Sequence, residues 1–492
     1  MTETAKSARS PRTVYWIAIT TMGQSCKLVA TLASAVLLSR FLMPADFGLI
    51  ATTAPIIGLA DMIRDAGFSQ ALIQRANIEK GQANALFWLL MAVTGLLVLL
   101  LLALSWPLAR FFGDWRIAHI LMVSAGIMLV GSIGSQPIAW LNRNLDFDRL
   151  AILDIIVAII TLIVSVTMAW ATHSYWAIVA GGGAGALTNM LLGCAFSGWR
   201  PGRPVFDGAV KEMVHFGSAV SFSNVMNFLA RNSDNLLIAK FSGQEQLGYY
   251  DRAYKLMLLP LTQITWPIAR VLTPILSGLQ NEPQEYSKLY FRTITFMMTA
   301  TQPAMVAATV GAAQVITLLL GDKWSASVPI FVWLGAAAVH QLVTSSHGWL
   351  YLSQGRGRDY SIVGIFGSVT TVASFAVGVH WGAYGVAIAY VVSDYLLRLP
   401  FSWLFVGRSG PVRTGPLLRQ SAPHALATIV AAAGCVLLRR VGGLSEVPML
   451  TALLLIAYIL YVVVLALFPS KRALLHEGLS HGWRLTQAKV AS

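Results

Sequence analysis

Apolar residues follow one another along this chain in long runs, broken by short clusters rich in charged, Pro and Gly residues. A helix needs ~20 mostly apolar residues to cross ~30 Å of hydrocarbon. By that length fourteen spans are predicted, near 14–39, 46–67, 83–105, 117–140, 150–171, 175–197, 212–238, 247–271, 291–320, 328–352, 360–379, 382–405, 421–438 and 447–468. The predicted fold class is all-α: a polytopic membrane protein of about 14 transmembrane helices. No loop between the runs is long enough for a soluble domain.

Polar positions inside the runs are not scattered. In the seventh, Ser221, Asn224, Asn227, Arg231, Asp234 and Asn235 adjoin or recur every three or four residues. At about 100° per residue they fall on one stripe of a helix. In the eighth, Asp251, Lys255, Thr262, Trp266 and Arg270 share a broader stripe that Arg252 adjoins. The first carries Thr20, Gln24, Lys27, Thr31 and Ser34 on one face, and the second carries Asp61, Arg64 and Asp65 near its inner end. A charge at bilayer depth costs at least ~2.5–3.5 kcal/mol, so such stripes are expected to face a wet interior. Two readings stay open for each charge. One is a structural ion pair, such as Arg231 with Asp234 or Asp251 with Lys255. The other is a cationic lining for a polyanionic ligand, for which Arg offers bidentate phosphate contacts. Cations outnumber acids on these stripes, which favours the second reading for the set.

Composition supports the membrane class. Hydrophobic residues make up 56% of the 492 and charged ones 11%, against about a quarter charged in a soluble chain. The net charge of +14 lies in short loops between apolar runs rather than in a nucleic-acid patch. With both termini placed in the cytoplasm, 21 of the 35 Lys and Arg fall in inside loops and tails, seven in outside loops and seven within spans. That is the positive-inside pattern, with Arg439 and Arg440 as the main exception. Lys6, Arg9 and Arg12 precede the first run without a small-residue cleavage site after it, so that run is expected to stay in the membrane. Cys26, Cys194 and Cys435 lie inside apolar runs, with no CxxC pair and no nearby His cluster. Neither a disulfide framework nor a metal site is expected.

Catalytic motifs are missing. There is no GxxxxGK[ST], GxSxG or HExxH. No cofactor is expected, and energy coupling would come from an ion gradient or from the substrate's own gradient. His340 and His347 share the tenth span at i and i+7 and read as helix-packing residues. Trp16, Trp88, Trp106, Trp140, Trp176, Trp324 and Trp381 lie near span ends and read as interfacial belts, while Tyr254 and Trp266 lie nearer the polar stripe. Pro55, Pro137, Pro260, Pro267 and Pro303, with Gly181, Gly182, Gly183 and Gly185, read as ordinary packing features of membrane helices.

The chain repeats itself. Leu37-Leu38-Ser39-Arg40-Phe41 followed by Phe47-Gly48-Leu49-Ile50 matches Leu237-Ile238-Ala239-Lys240-Phe241 followed by Leu247-Gly248-Tyr249-Tyr250, at an offset of 200. Tyr175 to Ala180 resembles Tyr384 to Ala389 at an offset of 209. Spans 1–6 and 7–12 therefore read as two parallel copies of a six-helix unit. The predicted organisation is a cytoplasmic tail at 1–12, an N-lobe at 13–198, a cytoplasmic linker at 199–211 and a C-lobe at 212–406. A cytoplasmic loop at 407–420, spans 13–14 at 421–468 and a basic cytoplasmic tail at 469–492 follow. The tail, with Leu474, Leu475, Leu479 and Trp483, reads either as an amphipathic helix on the inner leaflet or as a disordered segment.

Asp65-Ala66-Gly67-Phe68-Ser69-Gln70-Ala71-Leu72-Ile73-Gln74-Arg75, Asp234-Asn235 and Leu247-Gly248-Tyr249-Tyr250-Asp251-Arg252-Ala253-Tyr254-Lys255 resemble segments of bacterial polysaccharide transporters of the multidrug/oligosaccharidyl-lipid/polysaccharide exporter superfamily. The branch resembled is that of the lipopolysaccharide and exopolysaccharide repeat-unit flippases, over roughly residues 13–470. The resemblance implies a V-shaped protein of two six-helix lobes with two extra C-terminal helices. It implies a cavity lined by spans 1, 2, 7 and 8, and movement of undecaprenyl-diphosphate-linked oligosaccharides across the bacterial inner membrane by alternating access. The substrate-binding cations expected are Lys27, Arg64, Arg231, Arg252, Lys255 and Arg270; the polar or ion-coupling residues are Gln24, Asp65, Asn224, Asn227, Asp234 and Asp251. The partners expected are a lipid-linked oligosaccharide, membrane lipids and glycan polymerase or export machinery, with no nucleic acid. The alternatives are a multidrug or organic-cation antiporter of the same superfamily, which would favour an acidic or aromatic cavity, and a membrane polysaccharide polymerase or ligase. Such an enzyme would be expected to carry a sizeable outer loop.

Overall fold

The computed structural model describes residues 11–65, 79–206, 225, 228–469 and 471–472. All regular structure among them is helical. Among the described residues eleven helices are long and apolar enough to cross a membrane, or twelve when the pair Pro283–Val310 and Ala312–Leu319, bent by 83°, counts as one span. The seventh predicted span falls largely outside the described residues. The eleventh and twelfth fall in Gly357–Arg408, a helical stretch of 52 residues interrupted at Gly382, where φ is 73°. The protein is a multi-pass membrane protein of the all-α class.

Two compact units, Met1–Gly248 and Tyr249–Ser492, divide the chain. The first contains α1 (Pro11–Phe41), α2 (Pro44–Asp65), α3 (Lys80–Phe112), α4 (Arg116–Arg143), α5 (Phe147–Thr172), α6 (Trp176–Ser197) and α7 (Ser233–Ser242). Turn chemistry sets the helix ends. Glu79 and Gln82 form a capping box at the start of α3, and Gly113 takes the left-handed conformation after its end, with φ 76°. Leu49, Ile117, Leu121, Tyr175 and Val179 make one buried cluster, and Ala60, Leu97, Leu101, Ala125 and Met128 another. Helix α6 approaches its neighbours through glycine. A Cβ at Gly181 would run into Ser165, one at Gly185 would sit 2.5 Å from Thr161 Oγ1, and one at Gly134 on α4 would sit 2.8 Å from the Met190 Cα. The predicted packing role of Gly181 and Gly185 is what these contacts show.

Helix α8 (Gln244–Gly278) opens in the first unit and continues into the second. Its first turn meets the first turn of α2 in a reciprocal contact. A Cβ at Gly48 would collide with the Gln244 backbone, and a Cβ at Gly248 would collide with the Pro44 backbone. Positions 44 and 48 thus meet 248 and 244, which are each other's repeat partners at the offset of 200 read from the sequence. Such an exchange is the contact pattern of a two-fold pair, here within one chain. Thr52 Oγ1 also lies 2.5 Å from Gln244 Oε1.

The second unit contains the rest of α8, then α9 (Pro283–Val310), α10 (Ala312–Leu319), α11 (Ser327–Ser353), α12 (Gly357–Gly378), α13 (Gly382–Ser393), α14 (Leu399–Arg408), α15 (Thr414–Val441) and α16 (Glu446–Ala466). Leu272, Tyr286, Tyr290, Met297, Trp349 and Tyr351 pack into one core. A second core joins α15 and α16 to α9 through Val306, Ala427, Ala431, Leu453, Ala457 and Tyr461. Polar groups buried there are paired: Tyr461 Oη donates to Gln302 Oε1 at 2.7 Å and lies 2.8 Å from His424 Nδ1. Large apolar side chains such as Leu96, Trp170, Ile429 and Leu467 point outward, 65–70% exposed. That exterior suits a lipid solvent, against which a helix needs no polar coat.

Candidate functional site

In the first unit, Gln24 and Lys27 on α1 both turn toward Asp154 on α5. Gln24 Nε2 donates to Asp154 Oδ2 at 3.5 Å, and Lys27 Nζ lies 4.0 Å from Asp154 Oδ1. Lys27 remains 55% exposed, so this long pair is loosely held and gains little. On α2, Arg64 pairs with Asp61 at 3.0 Å and reaches the Met128 carbonyl at 3.5 Å. Asp65 ends the same helix. Asp234, on the first turn of α7, is buried and accepts the Asn235 N–H at 2.8 Å. Arg231, by contrast, is exposed and has no ion-pair partner among the described residues. The expected Arg231–Asp234 pair does not form. Asn224 and Asn227 lie outside the described residues.

In the second unit, α8 holds a compact charge cluster. Asp251 is 3% exposed, and its two oxygens are divided between neighbours. Arg252 Nη2 lies 3.1 Å from Oδ2, and Lys255 Nζ lies 2.8 Å from Oδ1. The expected Asp251–Lys255 pair is present, with Arg252 as an additional partner that sequence spacing did not suggest. The cluster carries two cations on one carboxylate, so a net positive charge remains. Lys255 presents it outward at 52% exposure, while Arg252 is mostly covered at 13%. Arg270 is exposed further along the helix without an ion-pair partner among the described residues. Tyr254 stacks against the buried Tyr250, with centroids 6.0 Å apart and planes at 7°.

Of the six expected cations, Lys27, Arg64, Arg252 and Lys255 have an acid beside them, and Arg231 and Arg270 do not, among the described residues. The exposed cations Arg231, Lys255 and Arg270 are the groups with N–H donors to offer an anion. Charge-assisted N–H···O bonds to phosphate are roughly twice as strong as neutral ones. Nothing among the described residues gathers three or more His, Cys, Asp or Glu into a metal-binding group.

A polar centre that the stripes did not indicate lies elsewhere in the second unit. Between α13 and α14 the helix loosens into a π-turn, Asp394–Arg398, closed by the Leu399 N–H donating to the Asp394 carbonyl. Asp394 is 6% exposed. Arg398 Nε donates to its Oδ1 at 2.8 Å, Gln341 Nε2 donates to Oδ2 at 3.2 Å, and His340 Nε2 lies 3.1 Å from Oδ2. The rest of the Arg398 fork reaches Thr371 Oγ1 at 2.6 Å and the Tyr390 carbonyl at 2.7 Å. A cleft of about 170 Å³ is lined by Asp394, Arg398, Thr344 and Ser402. His340 therefore packs helices, as expected, and also contacts a carboxylate 54 residues away, which sequence spacing has no means of indicating.

Comparison with known proteins supplies the family. Residues 37–329 match the family described as "Polysaccharide biosynthesis protein". The teichuronic acid biosynthesis protein TuaB of Bacillus subtilis is 27% identical over 69% of this chain and 70% of its own. The succinoglycan biosynthesis transport protein ExoT of Rhizobium meliloti is 23% identical over 88% of this chain and 87% of its own. Among solved structures, the inward closed conformation of the lipid II flippase MurJ is similar in fold. Its TM-score is 0.75 at 13% identity, over 92% of this chain and 98% of that one.

Proposed function

Because the chain belongs to the polysaccharide biosynthesis protein family, we propose that it is a flippase for lipid-linked glycans. Its substrates are undecaprenyl-diphosphate-linked oligosaccharide repeat units, taken from the inner to the outer leaflet of the bacterial inner membrane by alternating access. The product feeds lipopolysaccharide, capsule or exopolysaccharide synthesis. The chain is not an enzyme, and both termini face the cytoplasm. Glycan polymerase or export machinery receives the product.

The observation that carries this reading is net positive charge on α8, a helix otherwise apolar enough to span a membrane: the Asp251–Arg252–Lys255 cluster and the exposed Arg270, with Arg231 exposed just before α7. A diphosphate cannot enter hydrocarbon bare, and guanidinium and ammonium donors replace part of its lost hydration. The sequence stripes add Gln24, Lys27, Arg64 and Asp65 as further polar candidates, and Asn224, Asn227, Asp234 and Asp251 as neutral and acidic ones. Those acids offset the cations, so that the diphosphate is released at the outer leaflet rather than trapped. Relatives described as biosynthesis and transport proteins for surface polysaccharides support the substrate class.

The excess of cations disfavours an organic-cation antiporter, which needs an acidic or aromatic cavity. A deletion strain separates the flippase from a polymerase. A flippase predicts that undecaprenyl-linked oligosaccharide accumulates on the inner leaflet. Accumulation on the outer leaflet overturns the reading and points to a polymerase.

A further inference from the structure

We infer that the cleft beside the π-turn of the second unit is a sugar subsite, which takes one uncharged pyranose ring of a glycan at a time. The source of that ring rests on the flippase reading; the chemistry of the cleft does not.

Size comes first. The cleft holds about 170 Å³. An apolar cavity of about 150 Å³ admits a benzene molecule, so there is room for one six-membered ring and not for a chain of them. Gly367 lies on the cleft wall, and a Cβ added there would meet nothing within 4 Å. The cleft also lies away from the exposed apolar stripe of α12, which Ile362, Ile365 and Val369 form. At about 100° per residue, Val363, Phe366 and Gly367 fall roughly a third of a turn from that stripe.

The lining suits both surfaces of a sugar ring, which carries C–H groups on its faces and hydroxyls at its rim. Val363, Phe366, Leu399 and Phe401 supply an apolar wall, with the two Phe rings stacked at 3.9 Å and 20°. Thr344, Asp394, Arg398 and Ser402 supply a few fixed polar groups, the usual makeup of a small-molecule site. One carboxylate and one guanidinium cancel, so the lining carries no net charge. It selects neither a diphosphate nor an organic cation.

Hydrogen-bonding capacity is left over in this lining. A guanidinium has five N–H groups. Three bonds from Arg398 run to Asp394, Thr371 and the Tyr390 carbonyl, and they fix the plane in which its other N–H groups point. Thr344 donates its hydrogen to the Gln341 carbonyl at 3.4 Å, which leaves its lone pairs to accept. Ser402 is oriented by one bond, 2.6 Å from His347 Nδ1. A ligand hydroxyl both donates and accepts and can use such a set, whereas an acyl chain would leave it unpaired. Preset donors and acceptors also discriminate between hydroxyl arrangements, because a mismatched ring leaves buried polar groups without partners. The exposed cations hold the diphosphate in the flippase reading; the cleft reads the sugar.

The test uses the full chain in lipid nanodiscs. Saturation-transfer NMR with methyl glucopyranoside, methyl galactopyranoside and N-acetylglucosamine reports contact between each ring and the protein. Wild type should give a signal with at least one probe. Gly367→Leu fills the cleft and should abolish it. Gly364→Leu, exposed one turn earlier on α12 and also open around its Cβ, should keep it. Thr344→Val removes one acceptor and should weaken the same probe about threefold or more. Should Gly367→Leu fail to fold, Thr344→Val decides alone. No signal with any probe in the wild type, a signal that survives Gly367→Leu, or unchanged binding in Thr344→Val overturns the proposal. A second arm compares the binding of undecaprenyl-diphosphate trisaccharide with that of sugar-free undecaprenyl diphosphate. Gly367→Leu should weaken the first about tenfold and leave the second unchanged, a difference of about 1.4 kcal/mol. Equal weakening of both, or of neither, overturns a role for the cleft in holding the glycan. If the wild type binds neither lipid, the flippase reading fails and the monosaccharide arm still decides the sugar site.

Discussion

Arg252 and Arg270 stand on one helix in opposite circumstances, and a mutation at each asks a different question. Arg252 is largely covered and pinned to the buried Asp251. Arg252→Ala leaves that carboxylate with Lys255 alone and should cost stability; breaking one side of a buried pair costs ~3–5 kcal/mol. Protein abundance in the membrane should fall, and Asp251→Asn combined with Arg252→Gln should restore much of it, as read by immunoblot of washed membranes. Restoration by the double change marks a structural partnership; equal loss in single and double variants contradicts it. Arg231 and Arg270 carry no such burden, so their removal should leave abundance unchanged while reducing glycan export. The stripes of Arg231 and Asp234, and of Asp251, Lys255 and Arg270, could be read at all because i, i+3 and i+4 spacing is visible in one dimension. They could not reveal Asp154 as the partner of Lys27, since that contact joins residues 127 positions apart through tertiary packing. Asp394 escaped for the same reason: one acid in an apolar run has no periodicity.

At the scale of elements, glycine contacts and buried polar pairs make the most specific expectations. Gly48→Val and Gly248→Val should each separate the first turns of α2 and α8, because the added carbons meet main chain that cannot rotate away. Both variants should lower thermal stability of the purified protein by similar amounts, given their reciprocal positions. A loss confined to one of them would contradict the two-fold contact. Tyr461→Phe removes the hydroxyl between Gln302 and His424. Gln302 Oε1 keeps Thr428 as a donor, but leaving the buried His424 Nδ1 unsatisfied should cost about 1–3 kcal/mol, measured by denaturation in detergent, and loosen α16 from α9. Just after α16, Lys471 lies against Thr295 at 3.3 Å, and burial pushes its amine down to about 8 from 10.5. The cost of burying the charged amine is fully present below pH 8 and disappears as pH rises toward 10.5. Docking of this segment should therefore tighten over that window, as amide protection around 471–472 would report.

For the molecule as a whole, length and hydropathy made the all-α membrane class legible before any coordinates, since lipid admits few ways to satisfy a backbone. The repeat is a reading of the sequence, and at its offset of 200 the positions 44 and 48 meet 248 and 244. Span counting was less secure where helices bend or merge. The 83° break after Val310 and the tight turn at Gly382 inside Gly357–Arg408 both blur a count made by apolar length. Orientation is a proposal from charge asymmetry. Reporter fusions at residue 205 and at the C-terminus should read cytoplasmic and one near residue 323 external; a reversed signal at any of them would overturn the assigned topology.

Flipping itself is best measured in proteoliposomes carrying a fluorescent undecaprenyl-diphosphate oligosaccharide, with outer-leaflet probe quenched by a membrane-impermeant reductant. Wild-type protein should expose inner-leaflet probe far faster than protein-free vesicles do. Arg231→Gln together with Arg270→Gln should slow exposure about tenfold or more, the equivalent of one or two charge-assisted phosphate contacts. Arg439→Gln with Arg440→Gln, in the last turn of α15, should leave the rate unchanged. Equal rates in wild type, the Arg231/Arg270 double variant and protein-free vesicles would contradict a cationic pathway for the diphosphate.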